Sequence, residues 1–111
     1  MTKVLLDECV PRRFRTALVG IDVSTARDEN WTGQRNGDLL ALMRAGGFTT
    51  LVTVDRNLAH QQHIAASGLA VIVMHAVTNR LPQLVPLAPR VLEAITTTRS
   101  GEIARVGVQQ S

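Results

Sequence analysis

Apolar runs without polar alternation set the strongest limit on what this chain can fold into. Val4-Leu5-Leu6 and Leu69 to Met74 are wholly apolar, and Thr49 to Val54 is a β-branched run. A strand with one wet face alternates apolar and polar residues. A continuous apolar strand is covered on both faces, as in a parallel sheet flanked by helices. These runs are too short for buried helices. Ile21 to Thr25 and Glu102 to Val108 add two further strand candidates.

Segments with helical signals fall between the strands. Pro11 suits the first turn of a helix running to about Val19 and ended by Gly20. Ala26 to Gly37 reads as loop or a short irregular helix around Trp31. Asp38 to Ala45 has helical spacing and stops at Gly46-Gly47. A helix is expected from about Asn57 to Ala66, closed by Gly68, and another in Leu81 to Thr98 after its early prolines. Strands alternating with helices predict a three-layer α/β/α domain with a mostly parallel central sheet of about five strands. It spans residues 1–108, with 109–111 as a polar tail. Crossovers between parallel strands are expected to be right-handed.

Composition narrows the function classes. Phe14, Trp31 and Phe48 are the only aromatic residues, so the core is aliphatic and a base-stacking surface is not expected. One cysteine, Cys9, excludes an internal disulfide framework and a cysteine zinc site, which fits a reducing cytoplasm. There is no charged segment followed by a long apolar one, and no run of membrane-spanning length. The net charge is +3, and eleven of the twelve basic residues are Arg. Guanidinium forks match phosphate geometry, so the balance leans towards a polyanion, although an acidic protein is attracted equally well.

Two of the nine acids close strand candidates: Asp7 after Leu6, and Asp55 after Val54. In a parallel sheet such ends share one edge, and ligands bind beyond it. If the two strands are neighbours, their spacing of roughly 4.8 Å brings the carboxylates close. The long loop before Asp38 is able to bring a third acid there. Close carboxylates repel by about 4 kcal/mol per pair at an effective dielectric of 20. Such a site either raises its pKa values or binds a cation, and hard oxygen donors favour Mg²⁺ or Mn²⁺. The structural alternative is that Asp38 and Asp55 cap helices and Asp7 serves a turn. Glu8 is turned away from Asp7 by strand alternation and stands behind it.

Other residues carry weaker signals. Asn79 and Arg80 follow the fourth strand on the same edge, where Arg80 and Arg56 suit a substrate phosphate. His60 and His63, spaced i, i+3, lack a third ligand and read as a polar helix face. His75 reads as an ordinary loop residue near that edge, and Cys9 as a small core residue.

The pieces Val4-Leu5-Leu6-Asp7-Glu8-Cys9-Val10-Pro11, Gly37-Asp38-Leu39-Leu40 and Leu51-Val52-Thr53-Val54-Asp55-Arg56-Asn57-Leu58 resemble the PIN-like family catalogued as DUF5615. Asp55 to Gln62 and Asn79-Arg80-Leu81-Pro82 resemble one subset of it. The resemblance implies a metal-dependent endoribonuclease, akin to the VapC-type toxins of bacterial toxin–antitoxin pairs. It also implies an RNA substrate and a cognate antitoxin, while the sequence leaves a homodimer open. Asp7, Asp38 and Asp55 correspond to the family's catalytic, metal-binding acids. Many relatives carry a further acid where this chain has Asn57, and Glu29 matches an acid found before the central helix in some.

Two alternatives stay open. One is a catalytically degenerate PIN-like module that binds RNA or protein. The other is a receiver-like signalling domain phosphorylated on Asp55, which needs a Lys at the end of its last strand. The only Lys is Lys3.

Overall fold

The apolar runs lie side by side. In the computed structural model, which describes residues 2–57 and 64–107, five strands form one sheet. They are β1 (Lys3–Leu6), β2 (Asp22–Thr25), β3 (Thr50–Thr53), β4 (Ala70–His75) and β5 (Ile103–Gly107). Their order is β2-β1-β3-β4-β5, and every neighbouring pair is parallel. The sheet expected to be mostly parallel is wholly so.

Alternation sends side chains into two cores. Leu5, Leu51, Val71 and Val73 face one layer, where α1 (Asn36–Ala45) and α2 (Ile64–Ser67) supply Leu39, Leu40, Met43 and Ile64. Val4, Leu6, Val52, Ile72 and Met74 face the other. There a 3₁₀ helix at Arg12–Ala17 contributes Phe14, and the chain from Leu81 to Thr97 contributes Leu84, Val91 and Ile95. The fold is a three-layer α/β/α sandwich. Continuous burial on both faces is why β1, β3 and β4 read as unbroken apolar or β-branched runs.

The helix expected in the first crossover is a 3₁₀ helix, Arg12–Ala17. It must run back along a four-residue strand, a distance of about 13 Å. Six residues at about 2.0 Å rise cover about 12 Å as 3₁₀, but only about 9 Å as α. The prolines of the last crossover divide it into α3 (Leu81–Leu84), a 3₁₀ turn (Val85–Leu87) and α4 (Ala88–Thr97), each with a proline in its first turn. The helix expected from Asn57 to Ala66 lies mostly outside the described residues, as do His60, His63 and the polar tail.

The expected right-handedness does not hold throughout. β1 to β2 moves one way across the sheet over the Phe14 face. β2 to β3 and β3 to β4 move the other way over the α1 face. Reversing both direction and face preserves the hand. β4 to β5 continues in the same direction but through the Phe14 face, so its hand is opposite to the other three. Packing accounts for this: with α1 and α2 on one side, Ile72 and Met74 would otherwise lie bare on the other. Among the described residues no helix is long and apolar enough to cross a membrane.

Candidate functional site

In this strand order the connections diverge on either side of β1 and β3, and ligand sites form beyond the strand ends at such a switch point. Asp7 stands there. Its N–H extends the ladder by donating to the Val52 carbonyl at 2.9 Å, and its side chain is buried at 9% exposure. One carboxylate oxygen, Oδ1, accepts the Glu8 N–H at 2.8 Å. The other, Oδ2, accepts the Thr53 hydroxyl at 2.7 Å and the Cys9 thiol at 3.6 Å.

Thr53 is the link between the two strand ends. It is fully buried, and its Oγ1 accepts the Asp55 N–H at 3.0 Å while donating to Asp7. Because Leu6 pairs with Val52, the residue beside Asp7 in register is Thr53, and Asp55 lies two positions further on. Within a β-branched run a threonine looks like an ordinary strand former, so nothing in the sequence marked it out. Cys9, expected in the core, is half-buried at this same junction. Burial pushes its thiol pKa up; the bond with Thr53 opposes this, and the charge of Asp7 adds to it.

Asp7 lines a cavity of about 400 Å³ on this edge, together with Arg12, Arg27, Asn79 and Arg80. That volume is within the usual ligand-pocket range of roughly 300–1,000 Å³. Arg12 is committed elsewhere: it pairs with Asp28 at 3.0 Å, as does Arg15. Asn79 Nδ2 donates to the Cys9 carbonyl at 3.1 Å, tying the loop after β4 to the cavity wall. Glu8 also lines the cavity, and its Oε1 accepts the Gly33 N–H at 2.8 Å. Gly33 takes a φ of +79° to present that N–H, a conformation costly to other residues.

The other predicted residues are placed around this centre rather than in it. Asp38 lies in the first turn of α1 and is exposed. A helix returning to the start of β3 runs antiparallel to the strands, so its first turn lies at the edge that carries Asp7. Asp55 is half-buried, and its Oδ1 accepts the Asn57 N–H at 2.9 Å in an Asx turn. Asn57 is exposed. Arg56 reaches the Ala76 carbonyl at 3.4 Å and does not line the cavity. Glu29 accepts the Ser24 hydroxyl at 2.7 Å and bolts the end of β2.

The hard oxygen donors that suit Mg²⁺ or Mn²⁺ are therefore present on one edge but not gathered. Among the described residues no three His, Cys, Asp or Glu side chains form a group able to hold a metal ion. Sequence reasoning missed Thr53 and also Arg27, whose only signal was charge within a loop. In comparisons with known proteins, no family model, no curated protein and no solved structure matches the chain.

Proposed function

We propose that this protein is a PIN-like, Mg²⁺- or Mn²⁺-dependent endoribonuclease, acting in the cytoplasm as the toxin of a toxin–antitoxin pair. The observation that carries the reading is the carboxylate of Asp7, buried at the switch point and opening into a cavity rimmed by guanidinium groups. The sequence resemblance supplies the rest, assigning Asp7, Asp38 and Asp55 to the metal. A bound Mg²⁺ or Mn²⁺ supplies an activated water and neutralises charge on a phosphodiester. The chain's own contribution is to hold Asp7 in one orientation through Thr53 and the Glu8 N–H, and to steer phosphate towards it with Arg27 and Arg80.

A second reading, the degenerate module that binds RNA or protein, has an observation of its own. Among the described residues no three His, Cys, Asp or Glu side chains form a group able to hold a metal ion. Asn57 also stands where many relatives of the resembled family carry a further acid. The receiver-like reading fares worse. The strand order suits it, but Lys3 lies at the start of β1, where its Nζ donates to the Gly46 carbonyl and sits over the Phe48 ring. That is the opposite edge from Asp55.

Incubation of purified protein with RNA and Mn²⁺, beside a calorimetric Mn²⁺ titration, separates the first two readings. The wild type is expected to cleave and to bind Mn²⁺, and Asp7→Asn to do neither. Absence of both cleavage and Mn²⁺ binding in the wild type rejects the nuclease and favours the binding module.

A further inference from the structure

We infer that Arg27 and Arg80 grip the phosphate backbone of single-stranded RNA from two sides of the cavity, without regard to base. The inference rests on the reading above for the identity of the polymer, but not on the metal. Arg27 belongs to the turn after β2 and Arg80 to the loop after β4, strands on opposite sides of the β1–β3 junction. Both side chains are exposed and line the same cavity. Among the described residues neither has an acid partner, whereas Arg12 is held by Asp28.

The negative groups of the cavity are already engaged. Asp7 accepts from Thr53, Cys9 and the Glu8 N–H, and Glu8 accepts from Gly33. These neutral donors leave both carboxylates charged but fix their oxygens. Among the described residues, the side chains of the cavity left without a hydrogen-bond partner include a pair of forks suited to phosphate oxygens. Both stems are anchored. Ala26 N–H donates to the Leu6 carbonyl at 3.0 Å and Trp31 N–H to the Ala26 carbonyl at 2.8 Å, which holds the turn carrying Arg27. The bond from Asn79 to Cys9 holds the loop carrying Arg80. Anchored stems reduce the ordering that binding must impose.

Base readout has no platform here. Trp31 stands edge-on to Phe48, with ring centroids 5.5 Å apart, and among the described residues no aromatic side chain lines the cavity. Without a stacking surface the strand is held by its phosphates. A recess of this size also needs a backbone that bends into it. Duplex DNA is stiff over roughly 50 nm, whereas a single strand is not.

Fluorescence anisotropy with labelled decauridylate and decaadenylate, in the absence of divalent metal, tests the grip. The two oligomers are expected to bind within about twofold of each other. Arg27→Ala and Arg80→Ala should each weaken binding about tenfold and each lower the salt slope by about 0.7. Arg44→Ala, at the far end of α1, should change neither, and tripolyphosphate should compete. Variants that bind as the wild type does overturn the inference. So do an equal loss in Arg44→Ala, a strong base preference, equal binding of a duplex, or preference for polyglutamate over RNA. Intact, Arg-dependent binding without Mn²⁺-dependent cleavage sinks the nuclease reading and leaves the grip standing. Cleavage that survives with binding unchanged in both variants sinks the grip alone.

Discussion

Thr53→Val asks how the candidate site is held together. Valine keeps the branched shape of a fully buried side chain but removes the donor to Asp7 Oδ2 at 2.7 Å and the acceptor for the Asp55 N–H at 3.0 Å. A hydrogen bond to a charged group contributes about 1.5–3 kcal/mol, and one between neutral groups about 0.5–1.5 kcal/mol. Asp7 keeps the Glu8 N–H and the weak Cys9 donor, so its loss is about 2 kcal/mol. Asp55 is half-buried and its N–H can turn to water, which puts that loss near 0.5 kcal/mol. The added methyl returns less than about 0.8 kcal/mol. The net cost is about 2 kcal/mol, out of a total of roughly 5–15 kcal/mol for a domain. For a chain of this length Tm should fall by about 8 °C. Thr53→Ser keeps the hydroxyl and loses one methyl, for about 1 kcal/mol. Urea unfolding followed by circular dichroism should rank the variants threonine, serine, valine in falling stability. A valine variant within 0.5 kcal/mol of wild type, or more stable than the serine variant, would refute the idea that this hydroxyl secures Asp7.

Three further perturbations probe the same half of the molecule. His75 Nε2 is buried, and among the described residues it has no hydrogen-bond partner. Burial, then the charges of Arg56 and Arg105, hold the pKa of His75 below 6.5. The unfolded chain takes up that proton first, so the contribution of His75 to stability is complete above pH 6.5 and fades as pH falls towards the folded pKa. His75→Gln should flatten this slope in urea titrations at several pH values, and an unchanged slope would count against it. Because its pKa is raised, Cys9 should react with iodoacetamide at pH 8 more slowly in the folded protein than in urea, and Asp7→Asn should speed the folded reaction. Equal rates in the folded and unfolded states would remove that account. Gly107, at φ +149°, has its Cα so close to the His75 carbonyl that an alanine Cβ would collide with it. Gly107→Ala should therefore cost about 2 kcal/mol or more and raise hydrogen exchange along β5.

Much of the architecture was legible in the residues themselves. Continuous burial of Val4 to Leu6 and Leu69 to Met74 demanded a sheet covered on both faces, and the five strand positions followed from periodicity and glycine stops. That Asp7 ends one strand and stands on the ligand-bearing edge was also readable, because parallel strands present their carboxyl ends together. Chain order says nothing of spatial order, however. Whether Asp55 or Thr53 lies beside Asp7 depends on a register between strands 46 residues apart, and only pairing sets it. Tertiary packing likewise placed Arg27 and Arg80 around one cavity, committed Arg12 to Asp28, and turned Arg56 to a backbone carbonyl. It also gave the last crossover its opposite hand. Local patterns of burial determine which segments become strands and helices, because each segment answers to its own periodicity. Which side chains meet is decided by long-range closure of the sheet, where contacts join residues that no short stretch of sequence contains.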